Sequence, residues 1–231
     1  FSIEIAELLK IRQARIFPGL DDKILCSWNA LMVIGLVDSY KALHHTEYLE
    51  LAISAANFIK SNFCQNDNLF RTYKNGESKI NGFLEDYATV IAAFTSLYQV
   101  TFNENLLSIA ESLMLKCISD FYDENEGFFN FSNKIETNLI ANKIELFDNV
   151  IPSSNSIMAH NLFDLGNLLS RSDFVELASI MAYKMMPLIV RNGEYLANWA
   201  NLAVKINIPK IEVVIFGPEV DSISKQLLEQ E

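Results

Sequence analysis

The sequence has little positive charge and little cysteine, and both scarcities exclude classes of protein. Its 18 Lys and Arg stand against 29 Asp and Glu, for a formal net charge of −11. A protein that neutralises phosphates needs clustered basic residues, so we expect neither a nucleic-acid nor a membrane partner. The cysteines Cys26, Cys64 and Cys117 are isolated and fall in or beside hydrophobic helices. This placement predicts buried thiols rather than a disulfide framework.

Membrane-span, leader and cofactor signatures are also missing from the sequence. No apolar run reaches the length of a membrane span, and no basic segment followed by an apolar stretch opens the chain. We therefore expect a cytoplasmic protein. The sequence has no Walker loop, no nucleophile elbow and no metal-ligand spacing of His, Cys and carboxylates. No cofactor or metal is expected.

Apolar residues, in contrast, make up half of the 231 positions and repeat in a two-helix pattern. The first helix of each unit is almost free of charge after its first turn, whereas the second is amphipathic and opens with a cap followed by an acid. This difference predicts inner and outer helices of an all-α, (α/α) toroid of helical hairpins, a partial six-hairpin barrel. The predicted inner helices are Ser27–Leu43, Glu85–Val100 and Ser153–Leu169, and the outer helices begin at Thr46, Asn103 and Ser172.

Segments outside the helical hairpins show a different period. Alternation and flanking Asn or Gly predict small β-hairpins at Asn68–Tyr73 and Gly127–Phe131. The β-branched run Ile211–Phe216 predicts a strand, followed by a turn and an amphipathic helix over Val220–Leu228. We therefore divide the chain into a partial toroid over residues 1–205 and the start of a small α/β segment over residues 206–231.

The first residues indicate that the toroid is incomplete. The chain begins at Phe1 rather than Met, and Ile3–Ala14 has the pattern of the second half of another helical pair. We expect a piece of a longer protein. Missing hairpins would leave the apolar surface of an inner helix uncovered, so this piece is expected to form a homodimer or to expose a large hydrophobic face.

Acidic residues precede or begin the inner helices and are therefore expected to gather at one rim. Paired carboxylates that face a cavity can divide into a proton donor and a base or nucleophile, as in glycoside hydrolysis. Asp86 and Asp148 are the candidates for these two catalytic roles. The alternative is structural, because a carboxylate at a helix N-terminus also accepts hydrogen bonds from free backbone N–H groups.

Other residues near the same rim are candidates for substrate binding, and each also has a structural interpretation. Trp28 and Tyr87 can stack on a sugar ring or pack in the core. Lys23 can contact a substrate oxygen or form an ion pair, and His160 can reach the cavity or form a hydrogen bond in the core. The full set of predicted binding residues is Asp21, Asp22, Lys23, Trp28, Asn29, Glu85, Tyr87, Ser153 and Asn155.

Four motifs stand in a fixed order along the chain, namely Asp21–Lys23 with Ser27–Asn29, Gly82–Ala88, Asp148–Ser156 and Glu212–Gly217. Together they resemble the C-terminal part of the thioredoxin-domain-containing proteins of the spermatogenesis-associated type. In that family a thioredoxin-like domain precedes a toroid similar to the six-hairpin glycosidases and to the N-acylglucosamine and cellobiose 2-epimerases. The resemblance implies a truncated toroid that lacks both the thioredoxin-like domain and the opening hairpins. Ser154 stands where the family commonly has Gly.

Two hypotheses for function follow from these patterns. The first is a carbohydrate-active or carbohydrate-binding toroid with an acidic rim site, and if it is an enzyme, a hydrolase with paired carboxylates. The 2-epimerases that the fold resembles use a pair of histidines for proton transfer. No such pair can be assigned in this sequence, so epimerase activity is disfavoured. The second hypothesis is a non-catalytic interaction domain that serves a thioredoxin-like domain. The two are separated by whether Asp86 and Asp148 point into an open cavity or accept hydrogen bonds from backbone N–H groups.

Overall fold

A computed structural model describes residues 1–134 and 143–209, together with positions 215, 217, 218, 220, 223 and 227. The helices are α1 (Ser2–Gln13), α2 (Cys26–Leu43), α3 (Thr46–Asn62), α4 (Leu84–Thr101), α5 (Glu104–Asp120), α6 (Ser154–Leu168), α7 (Ser172–Arg191) and α8 (Ala197–Asn207). The strands are β1 (Ile24–Leu25), β2 (Cys64–Gln65), β3 (Asn68–Lys74), β4 (Glu77–Asn81), β5 (Tyr122–Asp123) and β6 (Phe128–Phe129). Apart from isolated positions, the strand and helix predicted within 211–228 lie outside the described residues.

Consecutive helices pack as hairpins, and the first helices of the hairpins pack against one another. The pairs are α2 with α3, α4 with α5, and α6 with α7, while α4 contacts both α2 and α6. Helix α8 packs against α6 and α7 and so continues the inner layer. The predicted helices and their assignment to inner and outer layers are confirmed.

Burial explains why the two kinds of helix differ in sequence. Inner helix α4 is buried on nearly every side, since it lies between α2, α5 and α6. An element buried all round must be apolar all round. Outer helix α3 buries only the stripe Ala52, Ala56 and Ile59, whose spacing matches one helical face. The hydrophobic core lies between the two layers.

A small antiparallel sheet covers the end of the toroid where the inner helices begin. Strand β3 pairs with β1, β2 and β4, and β5 pairs with β6 in a second hairpin. The turn between β3 and β4 uses Asn75 and Gly76 with φ values of 53° and 82°. Positive φ at both central residues is what a two-residue hairpin turn requires. Each predicted hairpin segment supplies one strand of a hairpin, β3 or β6, and its partner strand lies outside the predicted range.

Helix α1 differs from all the others because it buries none of its residues. Its apolar side chains point in every direction around the helix, and Ile5, Leu8, Leu9 and Ile11 are exposed. Trp28 and Met32 on α2 are exposed as well. The expected uncovered apolar surface is therefore present, whereas homodimer formation stays a prediction. Within the described residues, no helix combines the length and apolarity needed to span a bilayer.

The inner layer makes a direct prediction about stability. Phe94 on α4 is fully buried, so Phe94→Ala should lower the free energy of unfolding by about 3–5 kcal/mol through lost burial and a residual cavity. Tyr183→Ala on α7 is the control, because that side chain is 80% exposed and its loss should change stability by less than about 0.5 kcal/mol. Urea denaturation measures both. Equal losses would contradict the assignment of α4 to the inner layer.

Candidate functional site

Asp86 lies at the N-terminal end of inner helix α4 and is completely buried. Its Oδ1 accepts a hydrogen bond from the backbone N–H of Ser27, at 3.2 Å, in the first turn of α2. Its Oδ2 accepts from the backbone N–H of Phe83, at 3.0 Å, ahead of α4. One carboxylate therefore holds the N-terminal ends of two adjacent inner helices together.

Arg71 on β3 reaches the same carboxylate from the sheet. Its Nη1 lies 3.1 Å from Asp86 Oδ2 and also pairs with Glu85. The guanidinium lies over the Phe83 ring at 5.0 Å from the ring centroid, and that ring stacks on Phe131. The result is a cluster in which α2, α4 and β3 share one buried carboxylate and one cation.

Burial dominates the acidity of Asp86. Removal of the carboxyl group from water raises its pKa from the ordinary value of 3.8 to about 6, against the opposing effects of Arg71 and of the two backbone N–H groups. The raised pKa resembles that of a general acid, but a buried structural carboxylate has the same property.

Asp148 forms a second cluster of the same design in the loop ahead of α6. Its Oδ1 accepts from the backbone N–H of Ser153 at 2.9 Å and from the hydroxyl of Ser156 at 3.3 Å. Its Oδ2 accepts from the backbone N–H of Asn198, at 3.0 Å, in the first turn of α8. Asp148 thus connects the N-terminal ends of α6 and α8, as Asp86 connects those of α2 and α4.

The polar residues that open α6 hold the β5–β6 hairpin in place. Asn155 is fully buried, its Oδ1 accepts from the backbone N–H of Phe129, and its Nδ2 donates to the carbonyl oxygens of Phe129 and Glu145. Ser153 caps the helix by accepting from Ser156 N–H at 3.3 Å. Ser154, in the place where Gly is common in the resembled family, donates its hydroxyl to the Glu145 carboxylate at 3.1 Å.

The remaining predicted binding residues do not converge on these clusters. Asp21 pairs with Lys23, and Asp22 pairs with Lys74, all in or beside the exposed loop ahead of β1. Asn29 donates to the carbonyl oxygen of Leu25 at 2.8 Å, within its own helix turn.

The two predicted aromatic contacts lie in opposite environments. Tyr87 is buried, and its hydroxyl accepts a hydrogen bond from the backbone N–H of Leu69 at 3.0 Å. Trp28 is 68% exposed on the outer surface of α2. Of these two side chains, Trp28 alone offers a free aromatic face.

The contacts of Asp86 and Asp148 match the structural alternative, in which backbone N–H groups donate hydrogen bonds to the carboxylates. The catalytic assignment of this pair stays a prediction. Arg71 and Asn198 complete the two clusters but were absent from the sequence-predicted site. No local signal identifies them, because each lies on another element and meets its carboxylate only when the hairpins pack.

An open cavity of about 400 Å³ lies on the concave side of the inner layer. Four inner helices contribute to its wall, and neither Asp86 nor Asp148 is part of the lining. Helix α2 supplies Leu31, Ile34, Asp38 and Lys41; α4 supplies Thr89, Ala92, Thr95, Ser96 and Gln99; α6 supplies Ile157, His160, Asn161 and Asp164; and α8 supplies Asn198, with Pro152 at the edge.

Several polar groups of this cavity are already positioned by the protein. His160 Nε2 lies 2.9 Å from the backbone carbonyl oxygen of Asn198, and Asn161 Nδ2 donates to the carbonyl oxygen of Ala88 at 2.7 Å. Asp164 pairs with Lys205 at 2.6 Å. The Thr95 hydroxyl is buried and, within the described residues, has no hydrogen-bond partner. Polar and apolar side chains therefore both line the cavity.

A sequence signal for this cavity exists. Polar residues recur at helical spacing along predicted inner helices that are otherwise apolar, as with Thr89, Ser96 and Gln99 on α4. Such a stripe on a helix that is buried elsewhere marks a face that meets water or a ligand. Among the described residues, no group of three His, Cys, Asp or Glu side chains is placed to hold a metal ion.

Comparison with known sequences identifies relatives over three quarters of the chain. An uncharacterized protein of Caenorhabditis elegans is 32% identical over 185 residues, which cover 76% of this chain and 25% of the relative. Spermatogenesis-associated protein 20 of Rattus norvegicus is 30% identical over 185 residues, 74% of this chain and 23% of the relative. The chain spans about a quarter of the length of these curated relatives. No family model matches it.

Comparison with solved structures confirms the predicted toroid fold. A sugar epimerase from a ruminal bacterium superposes with a TM-score of 0.61 at 14% identity, over 72% of this chain and 46% of the other. An α-mannanase of Bacteroides thetaiotaomicron gives 0.59 at 16% identity, over 74% and 45%. Cellobiose 2-epimerase of Bacillus thermoamylovorans gives 0.57 at 18% identity, over 72% and 45%. At these identities the likeness shows the fold alone.

The raised pKa of Asp86 predicts a pH dependence of stability. Because the folded-state pKa of about 6 exceeds the ordinary 3.8, the stabilising contribution is complete below about pH 4 and is lost as the pH rises through 6. The full change is about 3 kcal/mol. Urea denaturation from pH 4 to 7 should therefore show the wild type losing stability relative to Asp86→Asn as the pH rises. A constant difference between the two proteins would contradict this environment for Asp86.

The contacts of Asp148 predict a large structural effect of its removal. Asp148→Ala leaves the N–H groups of Ser153 and Asn198 without their acceptor, so the free energy of unfolding should fall by about 2–3 kcal/mol. Glu176→Ala is the control, since Glu176 is an exposed acid on α7. Its loss should change stability by less than about 0.5 kcal/mol. Thermal unfolding distinguishes the two, and a silent Asp148→Ala would refute the connecting role.

Proposed function

This chain belongs to the family of spermatogenesis-associated protein 20, whose motifs it was predicted to share, and we propose that it is a carbohydrate-binding toroid. The ligand binds in the concave cavity between α2, α4, α6 and α8. The acidic rim holds the helix ends that shape this cavity. One observation carries the proposal, namely that the inner helices present polar side chains to an open space of about 400 Å³.

The size and chemistry of the cavity support a sugar-sized ligand. Small-molecule sites are concave spaces of roughly 300–1,000 Å³ in which a few polar groups orient the ligand. Ser96, Gln99 and Asn161 supply hydroxyl and amide groups, while Leu31 and Ile34 supply apolar contact. A sugar ring needs both, because it has hydroxyls at its edge and C–H groups on its faces. Structural neighbours named as a mannanase and as epimerases of sugars favour the same class.

The proposal is for binding and does not depend on catalysis by the rim carboxylates. A general acid or base must lie within hydrogen-bond reach of the reacting group. The two carboxylates are instead engaged by four backbone N–H groups, one hydroxyl and one guanidinium. Asp86 accepts from Ser27 and Phe83 and pairs with Arg71, and Asp148 accepts from Ser153, Asn198 and the Ser156 hydroxyl. This engagement supports a structural role for both residues.

A second candidate function is the interaction domain, and the exposure of α1 favours it. Helix α1 buries none of its residues, although Ile5, Leu8, Leu9 and Ile11 are large and apolar. Its surface can bind a protein partner, such as the thioredoxin-like domain that the family resemblance implies. The two candidate functions use different surfaces of the molecule, so failure of sugar binding would leave this one standing.

The cavity predicts a specific pattern of sugar binding. Calorimetric titration with neutral sugars, including mannose and cellobiose, should detect binding to the wild-type chain. Ala92→Phe introduces a phenyl ring into the cavity wall and should abolish that binding. Ala42→Phe is the matched control, because Ala42 is exposed on α2 and does not line the cavity. Binding that survives Ala92→Phe, or no binding by any neutral sugar, would overturn the proposal.

A further inference from the structure

The side chain of His160 is held in one orientation at the wall of the cavity. Its Nε2 lies 2.9 Å from the backbone carbonyl oxygen of Asn198. A carbonyl oxygen can only accept a hydrogen bond, so Nε2 carries a hydrogen. A neutral imidazole has one N–H group, and the other ring nitrogen has a lone pair. When His160 is neutral, its Nδ1 is therefore a hydrogen-bond acceptor.

The surroundings of His160 favour the neutral form. Burial lowers the pKa of the ring, with a further lowering by Lys205 on α8 and an opposing effect of the Asn198 carbonyl, Asp164 and Asp148. Asp164 on the same helix is itself paired with Lys205. Across the cavity, α2 contributes one charge of each sign, from Asp38 and Lys41. No single charge dominates the ring, and burial decides its state.

Other groups in the cavity also offer acceptors. The Nδ2 of Asn161 is used by the carbonyl oxygen of Ala88, which leaves the side-chain oxygen of Asn161 as its second polar atom. Thr95 is 95% buried, and its hydroxyl has no hydrogen-bond partner in the described part of the chain. This hydroxyl can accept as well as donate. Asp38 adds a carboxylate and Lys41 an ammonium group, whereas the Asp164 carboxylate is already paired with Lys205.

We infer that the cavity selects neutral, hydroxyl-rich sugars over acidic sugars, and that His160 is the specificity-determining acceptor. This inference rests on the proposed function. A sugar hydroxyl can donate to the Nδ1 lone pair of His160. A uronate carboxylate brings only acceptors to this position and meets the Nδ1 lone pair, and unpaired acceptors in a desolvated site are costly.

The ring of His160 has two functions in this inference, because Nε2 donates to the Asn198 carbonyl and Nδ1 accepts from the sugar. The substitution His160→Gln separates them. Glutamine keeps a side-chain N–H group for the Asn198 carbonyl but has no imidazole nitrogen that titrates. Calorimetry with a neutral disaccharide at pH 7.5 should show a loss of affinity of about tenfold, corresponding to one hydrogen bond. Burial lowers the pKa of His160, so wild-type affinity should fall only as the pH is lowered below the ordinary histidine pKa of 6.5, where protonation converts Nδ1 from an acceptor to a donor. The affinity of His160→Gln should not change over this range.

A uronic acid provides the opposite arm of the test. The wild type should bind it more weakly than the neutral sugar at pH 7.5 and more tightly as His160 becomes protonated. A uronate that binds more tightly than the neutral sugar at pH 7.5 would refute the inference, as would a variant with unchanged affinity and pH profile. In both cases the neutral sugar still binds and the proposed function stands. If no sugar binds the wild type, both fail together.

Nitrogen NMR of the wild-type chain keeps the inference testable if His160→Gln does not fold. The protein has three histidines, so few ring signals need assignment. At pH 7.5 the His160 Nδ1 should resonate as an unprotonated ring nitrogen and shift on addition of the neutral sugar. A protonated Nδ1 at this pH, or a signal that does not respond to a sugar that binds, would overturn the assignment.

Discussion

The structure depends on buried carboxylates that connect the N-terminal ends of neighbouring inner helices. Asp86 accepts a hydrogen bond from the first turn of α2, and Asp148 accepts one from the first turn of α8. Free N–H groups and the positive end of the helix dipole offset part of the cost of burying a negative charge at these positions. Each carboxylate satisfies donors from two helices at once. The inner helices are thereby held in register at one rim, and their side faces form the concave cavity.

This arrangement explains why acidic residues at a rim need not mark a reaction site. The desolvation of Asp86 raises its pKa, which is also a feature of catalytic acids. The distinguishing property is what the oxygens contact, and here they contact backbone N–H groups and Arg71. The polar groups left for a ligand lie in the cavity, where Ser96, Gln99 and His160 line the wall. The rim carboxylates therefore have structural contacts, and the cavity is the binding site that we propose.

The fold was largely predictable from the sequence, whereas the site was predictable only in part. Periodicity and caps identified the three hairpins and their inner helices, because burial imposes a local 3.6-residue pattern. The rim position of Asp86 and Asp148 followed from the same pattern. Their partners did not, since Ser27 is 59 residues from Asp86 and Asn198 is 50 residues from Asp148. The cavity depends on the angular placement of four helices, which no local pattern encodes.

Amide chemical-shift mapping tests the central claim most directly, because it reports the rim and the cavity in one titration. When a neutral disaccharide is added to the isotope-labelled chain, the largest changes should occur at Ser96, Gln99 and Asn161, which line the cavity. The amides of Ser27 and Ser153, which donate to the rim carboxylates, should remain unchanged. Changes concentrated at Ser27 and Ser153, with a silent cavity, would place the ligand at the acidic rim and contradict the account.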